Sequence, residues 1–168
     1  MISRSFAFIA LFALAVGLAA CNGEDPDEVA DMDFRDAEVA EVVIQPVGNQ
    51  MLYEQEEFTV RPGQTVELTM DNIADAPAML HNILIVDSDD DAVAAEVNEA
   101  AQEAGSDADY IPDHDAVIAS TPMADPGEVT EVEFTAPEEA GEYIYICTYP
   151  GHYEAGMEGV MTVAEPEA

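Results

Sequence analysis

Short runs of alternating apolar and polar residues recur along the chain from about residue 38 onwards and indicate β-strands. Between Thr65 and Met70, Val66 and Leu68 alternate with polar residues, which is the period of a half-buried strand. Further strands are predicted at residues 39–47, 58–60, 81–86, 129–136, 141–147 and 157–163. Seven to eight short strands separated by turn signals predict an all-β fold, a Greek-key β-sandwich.

One segment with a helical period interrupts the strands. Ser88 or Asp89 can cap this helix, and Gly105 follows it as a stop signal. The predicted apolar face of the helix consists of Val93, Val97, Ala100 and Ala104. A loop containing residues 110–112 and 117–119 is predicted to follow. The pattern therefore predicts one helical insertion within the sandwich.

The first 20 residues have the pattern of an export signal. Arg4 is followed by an apolar run from Phe6 to Ala20, too short to span a bilayer but typical of a signal-peptide core. The run ends in LAAC at residues 18–21, which resembles the bacterial lipobox, whose cysteine is acylated. We therefore predict a lipoprotein signal peptide at residues 1–20, with lipidation at Cys21. An ordinary signal peptide with an incidental cysteine is the alternative.

These features predict the domain organisation and the location of the protein. Residues 21–37, which begin at the lipidated cysteine, are polar and acidic without apolar periodicity, so we expect a flexible tether. Residues 38–168 form the single predicted domain. The protein is expected to be exported and lipid-anchored to the membrane on the periplasmic or extracellular side.

The charge balance is extreme. There are 37 acidic residues against three arginines and no lysine, and the formal net charge is −34. An acidic docking patch for a basic partner such as a cytochrome would explain this, and so would a surface adapted to concentrated salt. The acids are spread over nearly every segment after residue 23, which favours the halophilic surface. At roughly 1 M salt the Debye length is about 3 Å, so long-range steering would be largely lost there.

The most specific chemical signal is the segment CTYPGHYEAGM, which places Cys147, His152 and Met157 within eleven residues. A thiolate, an imidazole and a thioether suit a blue-copper site, which needs a second histidine. His81 is predicted to supply it through one ring nitrogen, while the other nitrogen meets a hydrogen-bond acceptor. Cys21 and Cys147 are the only cysteines in the sequence, so no disulfide can form if Cys21 carries lipid. Cys147 would then be a free thiol in an oxidising compartment, where a metal-bound thiolate is better protected.

Two residues beside these ligands are predicted to support the thiolate. The backbone N–H groups of Asn82 and Tyr149 are candidate donors to the Cys147 sulfur, and hydrogen bonds around that sulfur help to set the potential. The Asn82 side chain is also expected to tie the two ligand segments together.

These segments resemble the cupredoxins of the azurin and auracyanin type. The resemblance covers residues 38–165 and includes MLHN at 79–82, the helical insertion followed by YIP at 110–112 and VIA at 117–119, and CTYPGH at 147–152. It implies electron transfer by one type 1 copper ion. The implied equatorial ligands are His81, Cys147 and His152, and the implied axial ligand is Met157.

Three departures from azurins qualify the resemblance. Azurins have a glycine where this chain has Leu80, so a weak axial contact from the Leu80 carbonyl is left open. Four residues rather than three separate His152 from Met157, as in plastocyanins and auracyanins. The azurin disulfide is absent, for want of cysteines.

The resemblance also implies how electrons reach the metal. An apolar docking patch is expected around His152, whose ring edge is expected to reach the surface and carry electrons in and out. The patch consists of Met79, Leu80, Pro150 and Tyr153. The expected partner is a c-type cytochrome or a membrane respiratory or photosynthetic complex. A monomer without a nucleic-acid partner is expected.

The metal site has three alternative interpretations. A copper chaperone or storage module would bind copper without needing a thiolate tuned for electron exchange. A copper oxidase or nitrite reductase fragment would need further histidines, and only His114, between two acids, is left. A structural zinc site favours cysteine and histidine without a thioether. The acids Glu96, Glu99 and Glu103 are interpreted as a solvated helix face, and Met70 and Met161 as core residues.

Overall fold

The computed structural model describes residues 32–166. Nine strands lie in this range: β1 (Met32–Asp33), β2 (Val39–Ile44), β3 (Glu57–Val60), β4 (Thr65–Asp71), β5 (Leu84–Val86), β6 (Val117–Ser120), β7 (Val129–Thr135), β8 (Gly141–Ile146) and β9 (Glu158–Val163). One α-helix, α1 (Asp91–Ala104), lies between β5 and β6, and short 3-10 turns occupy Ser106–Ala108 and Tyr153–Ala155. The predicted signal peptide and Cys21 lie outside the described residues.

The strands form two sheets. Six strands run in the order β1-β3-β9-β8-β5-β6, and three run in the order β2-β4-β7. In the smaller sheet β2 pairs with β4 in parallel, and β4 pairs with β7 in antiparallel orientation. The predicted β-sandwich with one helical insertion is confirmed. No helix within residues 32–166 is long and apolar enough to cross a membrane.

The main core lies between the two sheets. Alternation in β4 buries Val66, Leu68 and Met70 completely, while Glu67 faces solvent. From the larger sheet Phe58 and Met161 join the same cluster, so the predicted core positions of both methionines are confirmed. Full burial of a side chain of this size is worth about 1.5–3 kcal/mol.

The larger sheet is covered on its second side by the helix. Ile144 and Ile146 of β8 pack with Val97 of α1 in a separate cluster. Because β8 lies between β9 and β5 and both of its faces are covered, its sequence is densely apolar rather than alternating. This places the end of β8, which leads into the predicted ligand Cys147, between the core of the sandwich and helix α1.

The start of α1 differs from the prediction. The N-cap is Asp90, not Ser88 or Asp89, because Asp90 has an extended backbone and its carboxylate accepts a hydrogen bond from the N–H of Ala92 at 2.9 Å. The Ser88 hydroxyl instead accepts from the Asp90 N–H. The predicted end at Gly105 is confirmed, with φ at +72°.

The buried stripe of α1 also differs. It consists of Ala94, Val97, Asn98 and Ala101, whereas the sequence predicted Val93, Val97, Ala100 and Ala104. The small side chains of Ala94 and Ala101 let the helix lie close to the sheet, and the larger Val93 is left half-buried at the margin. The acids Glu96, Glu99 and Glu103 are exposed, as the interpretation of a solvated face requires.

Residues 32–37 are packed on the domain, although the sequence assigned them to the tether. Met32–Asp33 pair in parallel with β3. The Gln64 side chain donates to the carbonyls of Phe34 and Ala37, both at 2.9 Å, and the Arg61 guanidinium donates to carbonyls of the same segment. These partners lie more than 20 residues away in sequence, so no local pattern could reveal them.

Two other boundaries are corrected. Residues 117–119 were predicted as a loop, but they belong to β6, which pairs with β5 through an irregular register between Ile85 and Val86. The strand predicted at 81–86 is shorter, because β5 starts at Leu84 and His81 forms only an isolated bridge with Ala124. That bridge matters for the site, since it holds a predicted metal ligand.

Candidate metal centre

Three of the predicted ligands are positioned by the loop that joins β8 to β9. Cys147 follows β8 directly, and its N–H donates to the Met157 carbonyl at 3.1 Å. The Met157 N–H donates in turn to the His152 carbonyl at 3.0 Å. Gly151 makes the reversal with φ at +85°, a conformation that favours glycine. The loop is therefore closed by its own backbone before any metal binds.

His81 reaches the same place from another part of the chain. Its N–H donates to the Ala124 carbonyl at 3.2 Å, and the Ala124 N–H donates back to the His81 carbonyl at 2.8 Å. This two-bond bridge fixes the backbone just ahead of β5, which pairs with β8. The imidazole is thereby brought beside Cys147, although 66 residues separate the two in sequence.

The three ligand side chains converge on one point. Cys147 Sγ lies 3.8 Å from His81 Nδ1 and 3.5 Å from His152 Nδ1, and all three residues are buried. Metal bonds of about 2.0 Å to nitrogen and 2.3 Å to sulfur, meeting at the angle of a trigonal site, would place the two atoms about 3.7 Å apart. The observed separations therefore fit a metal ion held between one thiolate and two imidazoles.

Met157 completes the donor set. It is fully buried in the same core cluster as Cys147, and its backbone bonds to both Cys147 and His152 fix its position. A trigonal His₂Cys arrangement with a weak axial methionine is the ligand set of blue-copper sites.

Burial sets the protonation states of these groups. It raises the pKa of the Cys147 thiol to about 11, although the N–H groups of Asn82 and Tyr149 and the Tyr53 hydroxyl act in the opposite direction. Burial, and then the neighbouring His152, lower the pKa of His81 to about 4. The metal-free site at neutral pH therefore holds a thiol and a neutral His81 imidazole. A metal ion binding there must displace the thiol proton.

The two histidines differ from the sequence predictions in one respect each. His81 Nε2 is buried, and within residues 32–166 no acceptor meets it, whereas the sequence predicted one. His152 was expected to present its ring edge at the surface, yet only 1 % of the residue is exposed. The Tyr149 ring lies 4.8 Å from the His152 ring, centroid to centroid, and contributes to this cover.

Asn82 joins the two ligand segments. Its side-chain oxygen accepts from the Thr148 N–H at 2.9 Å, and its side-chain nitrogen donates to the Thr148 hydroxyl at 2.8 Å. These bonds connect the residue after His81 with the residue after Cys147. The backbone N–H groups of Asn82 and Tyr149, the donors that the sequence suggests, act to lower the pKa of the Cys147 thiol.

Helix α1 supports the ligand loop through residues that sequence reasoning missed. The Gln102 side chain donates to the Thr148 carbonyl at 3.0 Å. The Asn98 side chain, 5 % exposed, donates to the Glu154 carboxylate at 3.0 Å. An asparagine on the buried stripe of an otherwise apolar helix face was the available signal, because a buried amide needs a partner.

The predicted docking patch lies around this loop but does not behave as one uniform surface. Pro150 is exposed, whereas Met79 and Leu80 are half-buried. Tyr153 is also half-buried, but it packs against the core cluster beneath α1. Leu80 lines a cleft together with Tyr149 and other residues: Ser106, Asp109, Tyr110, Met123 and Asp125.

His114, the remaining histidine, takes no part in the site. It is half-exposed, and its Nδ1 accepts a hydrogen bond from the Ala116 N–H at 3.1 Å. Among residues 32–166, the only cluster of three or more cysteine, histidine or acidic side chains placed to hold a metal is His81, Cys147 and His152.

Known proteins are similar to this chain in both sequence and fold. Residues 40–164 match the plastocyanin/azurin family of copper binding proteins. Auracyanin-A of Chloroflexus aurantiacus is 35 % identical over 161 residues, which cover 95 % of this chain and 96 % of that protein. Auracyanin-B of the same organism is 48 % identical over 85 residues, covering 49 % of this chain and 35 % of that protein.

The solved structures agree with this assignment. Dithionite-reduced auracyanin from Roseiflexus castenholzii has a TM-score of 0.68 at 44 % identity, covering 74 % of this chain and 96 % of its own. Auracyanin A, described as a "blue" copper protein from Chloroflexus aurantiacus, has a TM-score of 0.69 at 37 % identity, covering 75 % and 99 %. His81, Cys147, His152 and Met157 form a type 1 copper site. The chain belongs to the plastocyanin/azurin family of copper-binding proteins.

Proposed function

We propose that this protein is a lipid-anchored carrier that passes single electrons between redox proteins outside the cytoplasm. Its type 1 copper site accepts and donates the electron. The observation that carries this function is the convergence of one thiol and two imidazoles, 3.5 and 3.8 Å apart, in a buried site with Met157 beside it. When bound, copper supplies a one-electron redox couple.

The residues of the chain make the site suitable for this task. The ligand loop is closed by its own hydrogen bonds and supported by α1 through Gln102 and Asn98. A site that is already shaped reorganises little when the charge of the metal changes. Burial of the ligands excludes water, which strengthens the interaction of the thiolate with its hydrogen-bond donors.

Two alternatives are less consistent with the site. Copper storage or delivery does not require a thiolate enclosed with hydrogen-bond donors, and a structural zinc ion does not require the thioether. We also propose that the protein is not an enzyme. A second, catalytic copper would need further ligands, and His114 is the one histidine of the sequence that is not a ligand of the type 1 site.

Voltammetry of the copper-loaded full chain tests the electron-transfer function. We expect one reversible one-electron wave, with the same midpoint in both scan directions. Copper that binds but gives no reversible wave would favour storage or delivery instead.

We propose that the partner docks over the Leu80–Tyr149 side of the ligand loop. Pro150 is exposed there, and the half-buried Tyr149 has its ring 4.8 Å from the ring of the buried His152. Because His152 itself is covered, an electron would cross these side chains rather than an open imidazole edge. A c-type cytochrome or a membrane electron-transport complex would be the partner class.

A charge introduced into this surface tests the docking proposal. Leu80→Glu should slow electron exchange with a c-type cytochrome by about tenfold, the factor that corresponds to 1.4 kcal/mol. Val43→Glu is the matched control, because Val43 is 45 % exposed on the outer face of the smaller sheet and adds the same charge. Equal slowing by both variants would indicate a general charge effect and contradict this docking surface.

Lipid attachment at Cys21 is tested separately. Cells producing the wild-type chain should carry it in the membrane fraction, with an acylated peptide detectable by mass spectrometry. Cys21→Ala should move the copper protein to the soluble exported fraction. If the wild-type chain is found there without acyl groups, the ordinary signal peptide is the correct interpretation.

A further inference from the structure

Tyr53 is a buried phenol that reaches the metal centre from the segment between β2 and β3. Only 2 % of the residue is exposed, and its backbone forms a bridge with Pro46. Its hydroxyl donates to the Asn82 carbonyl at 2.5 Å, and its side chain lies in the same core cluster as Cys147. The Tyr53 hydroxyl also acts to lower the pKa of the Cys147 thiol. One side chain thus shares a core cluster with one ligand and bonds to the residue that follows another ligand.

Asn82 is held from several directions. Its side chain bonds to Thr148, and its N–H acts to lower the pKa of the Cys147 thiol. The Ile83 N–H, which belongs to the same peptide unit as the Asn82 carbonyl, donates to the Thr121 hydroxyl at 3.0 Å. The Asn82 carbonyl is held by Tyr53. Loss of the Tyr53 hydroxyl would therefore leave a buried carbonyl without its donor and loosen the peptide unit that follows Asn82. The Asn82 N–H, in the preceding peptide unit, would then be held less firmly beside the Cys147 sulfur.

The phenol has a single proton, which it donates to the Asn82 carbonyl. Its effect on the Cys147 sulfur therefore acts through Asn82. Once Cys147 is a thiolate, it can only accept. Hydrogen bonds to a charged group favour the state in which that group carries more charge. On a copper-bound thiolate this is the reduced state, and hydrogen bonding around the sulfur is one of the factors that set the potential.

We propose that Tyr53 is a positioning residue of the copper centre: its hydroxyl fixes Asn82 through the Asn82 carbonyl, keeps the Asn82 N–H beside the Cys147 thiolate and thereby raises the reduction potential of the bound metal. The proposal rests on the type 1 copper function. It assigns a role in tuning the site to a residue that the sequence analysis did not single out.

Tyr145 provides a matched control. It is also a fully buried tyrosine, and its ring lies 5.4 Å from the Tyr53 ring. Its hydroxyl likewise donates to a backbone carbonyl at 2.5 Å, but that carbonyl belongs to Gln55, away from the ligands. Tyr53→Phe and Tyr145→Phe therefore remove the same atom from the same kind of environment, and only the first removes it from the metal centre.

The experiment measures midpoint potentials and visible spectra of the copper-loaded full chain and both variants. At the wild-type midpoint, Tyr53→Phe should lower the ratio of reduced to oxidised copper by three- to tenfold, which is a fall of about 30 to 60 mV at 59 mV per tenfold. Its thiolate-to-copper band should also shift to longer wavelength. Tyr145→Phe should lower the melting temperature without moving the midpoint or the band.

Equal midpoints for the two variants would overturn the proposal. If Tyr53→Phe does not fold, 3-fluorotyrosine at position 53 keeps the ring and hydroxyl and makes the hydroxyl a stronger donor. The midpoint should then rise, and an unchanged midpoint would again overturn the proposal. A wild-type chain without the visible band would instead contradict the copper function itself, so the two failures are distinguishable.

Discussion

In the part of the chain that the structure describes, the interior around the metal centre contains no buried carboxylate, whereas the outer face of the smaller sheet carries a row of glutamates. Within residues 32–166 the buried polar side chains are all amides, hydroxyls or imidazoles, without a single carboxylate: Gln64, Asn72, His81, Asn82, Asn98, Thr121, Thr148 and His152. On the outer face of the smaller sheet, Glu41 lies opposite Glu67 and Glu67 lies opposite Glu133, and all three are exposed.

The difference shows how a chain with so many acids can still enclose a metal site. Burying a carboxylate without a partner costs several kcal/mol. The groups around the metal site are therefore neutral, and the thiolate is the ligand that carries a negative charge. The outer sheet face tolerates cross-strand repulsion because water and salt screen it. The first region should therefore respond to pH and ligand substitution, and the second to ionic strength.

The largest expected effect is the loss of the thiolate. Cys147→Ser removes the soft ligand but keeps the size of the side chain and the backbone bond to Met157. We expect the visible thiolate-to-copper band to be absent after copper addition, while far-ultraviolet circular dichroism of the metal-free protein stays close to wild type. A remaining intense band in this variant would show that another residue carries the colour.

Acid should destabilise the metal-free protein through His81. Its pKa is about 4 when folded and near 6.5 when unfolded. As the pH falls, the unfolded chain binds a proton at this histidine before the folded chain does. The free energy of unfolding is therefore unaffected by this group above about pH 6.5 and decreases as the pH falls towards 4. The expected loss is about 3 kcal/mol, at 1.36 kcal/mol for each pKa unit.

The carboxylates also titrate in this range, so a difference measurement is required. His81→Gln is neutral at every pH, and the gap in unfolding free energy between it and the wild type should change by about 3 kcal/mol from pH 7 to pH 4. Chemical denaturation at the two pH values measures it. A gap that does not change would contradict the burial of a neutral His81.

A smaller effect is expected from the axial ligand. Met157→Leu preserves the volume and the three other ligands, so copper and colour should be retained. Loss of the thioether should raise the midpoint potential, by an amount on the order of the 59 mV that equals a tenfold change in equilibrium. Potentiometric titration measures the shift, and a lowered midpoint would show that Met157 is not the axial donor.

The smallest effect is expected on the acidic sheet face. Glu67→Gln removes the middle member of the Glu41–Glu67–Glu133 row and should stabilise the protein by about 0.2–1 kcal/mol in millimolar salt. The gain should disappear near 1 M salt, where the Debye length is about 3 Å. Glu54→Gln, on the loop between β2 and β3, is the control for loss of a charge elsewhere.

The wild-type chain should itself melt at a higher temperature in molar than in millimolar salt, because its acids repel over a longer distance at low salt. Thermal melts at the two ionic strengths measure this. An unchanged melting temperature would contradict the prediction of a halophilic surface.

Local pattern predicted those parts of the fold that depend on neighbours in sequence. The alternation in β4 and the stop at Gly105 are properties of a few adjacent residues, and both were predicted correctly. The packing of residues 32–37 was not, because it depends on Arg61 and Gln64. The buried stripe of α1 was predicted only at Val97, because it includes the polar Asn98, whose partner Glu154 lies 56 residues away in sequence.

The same distinction holds for the site. The ligands could be predicted because a thiolate, two imidazoles and a thioether form a rare chemical set, whatever their separation in sequence. The supporting contacts could not. Tyr53 and Asn82 are 29 residues apart, and Asn98 and Glu154 are 56 apart. Their side chains are common types whose role follows only from where the fold places them.

The most direct test of the copper function is an optical titration of the full chain with copper(II), followed by ascorbate reduction and reoxidation. We predict an intense thiolate-to-copper band that saturates at one equivalent, bleaches on reduction and returns on reoxidation. Copper that binds without this band, or a colour that never recovers, would contradict electron transfer and favour a storage or delivery role.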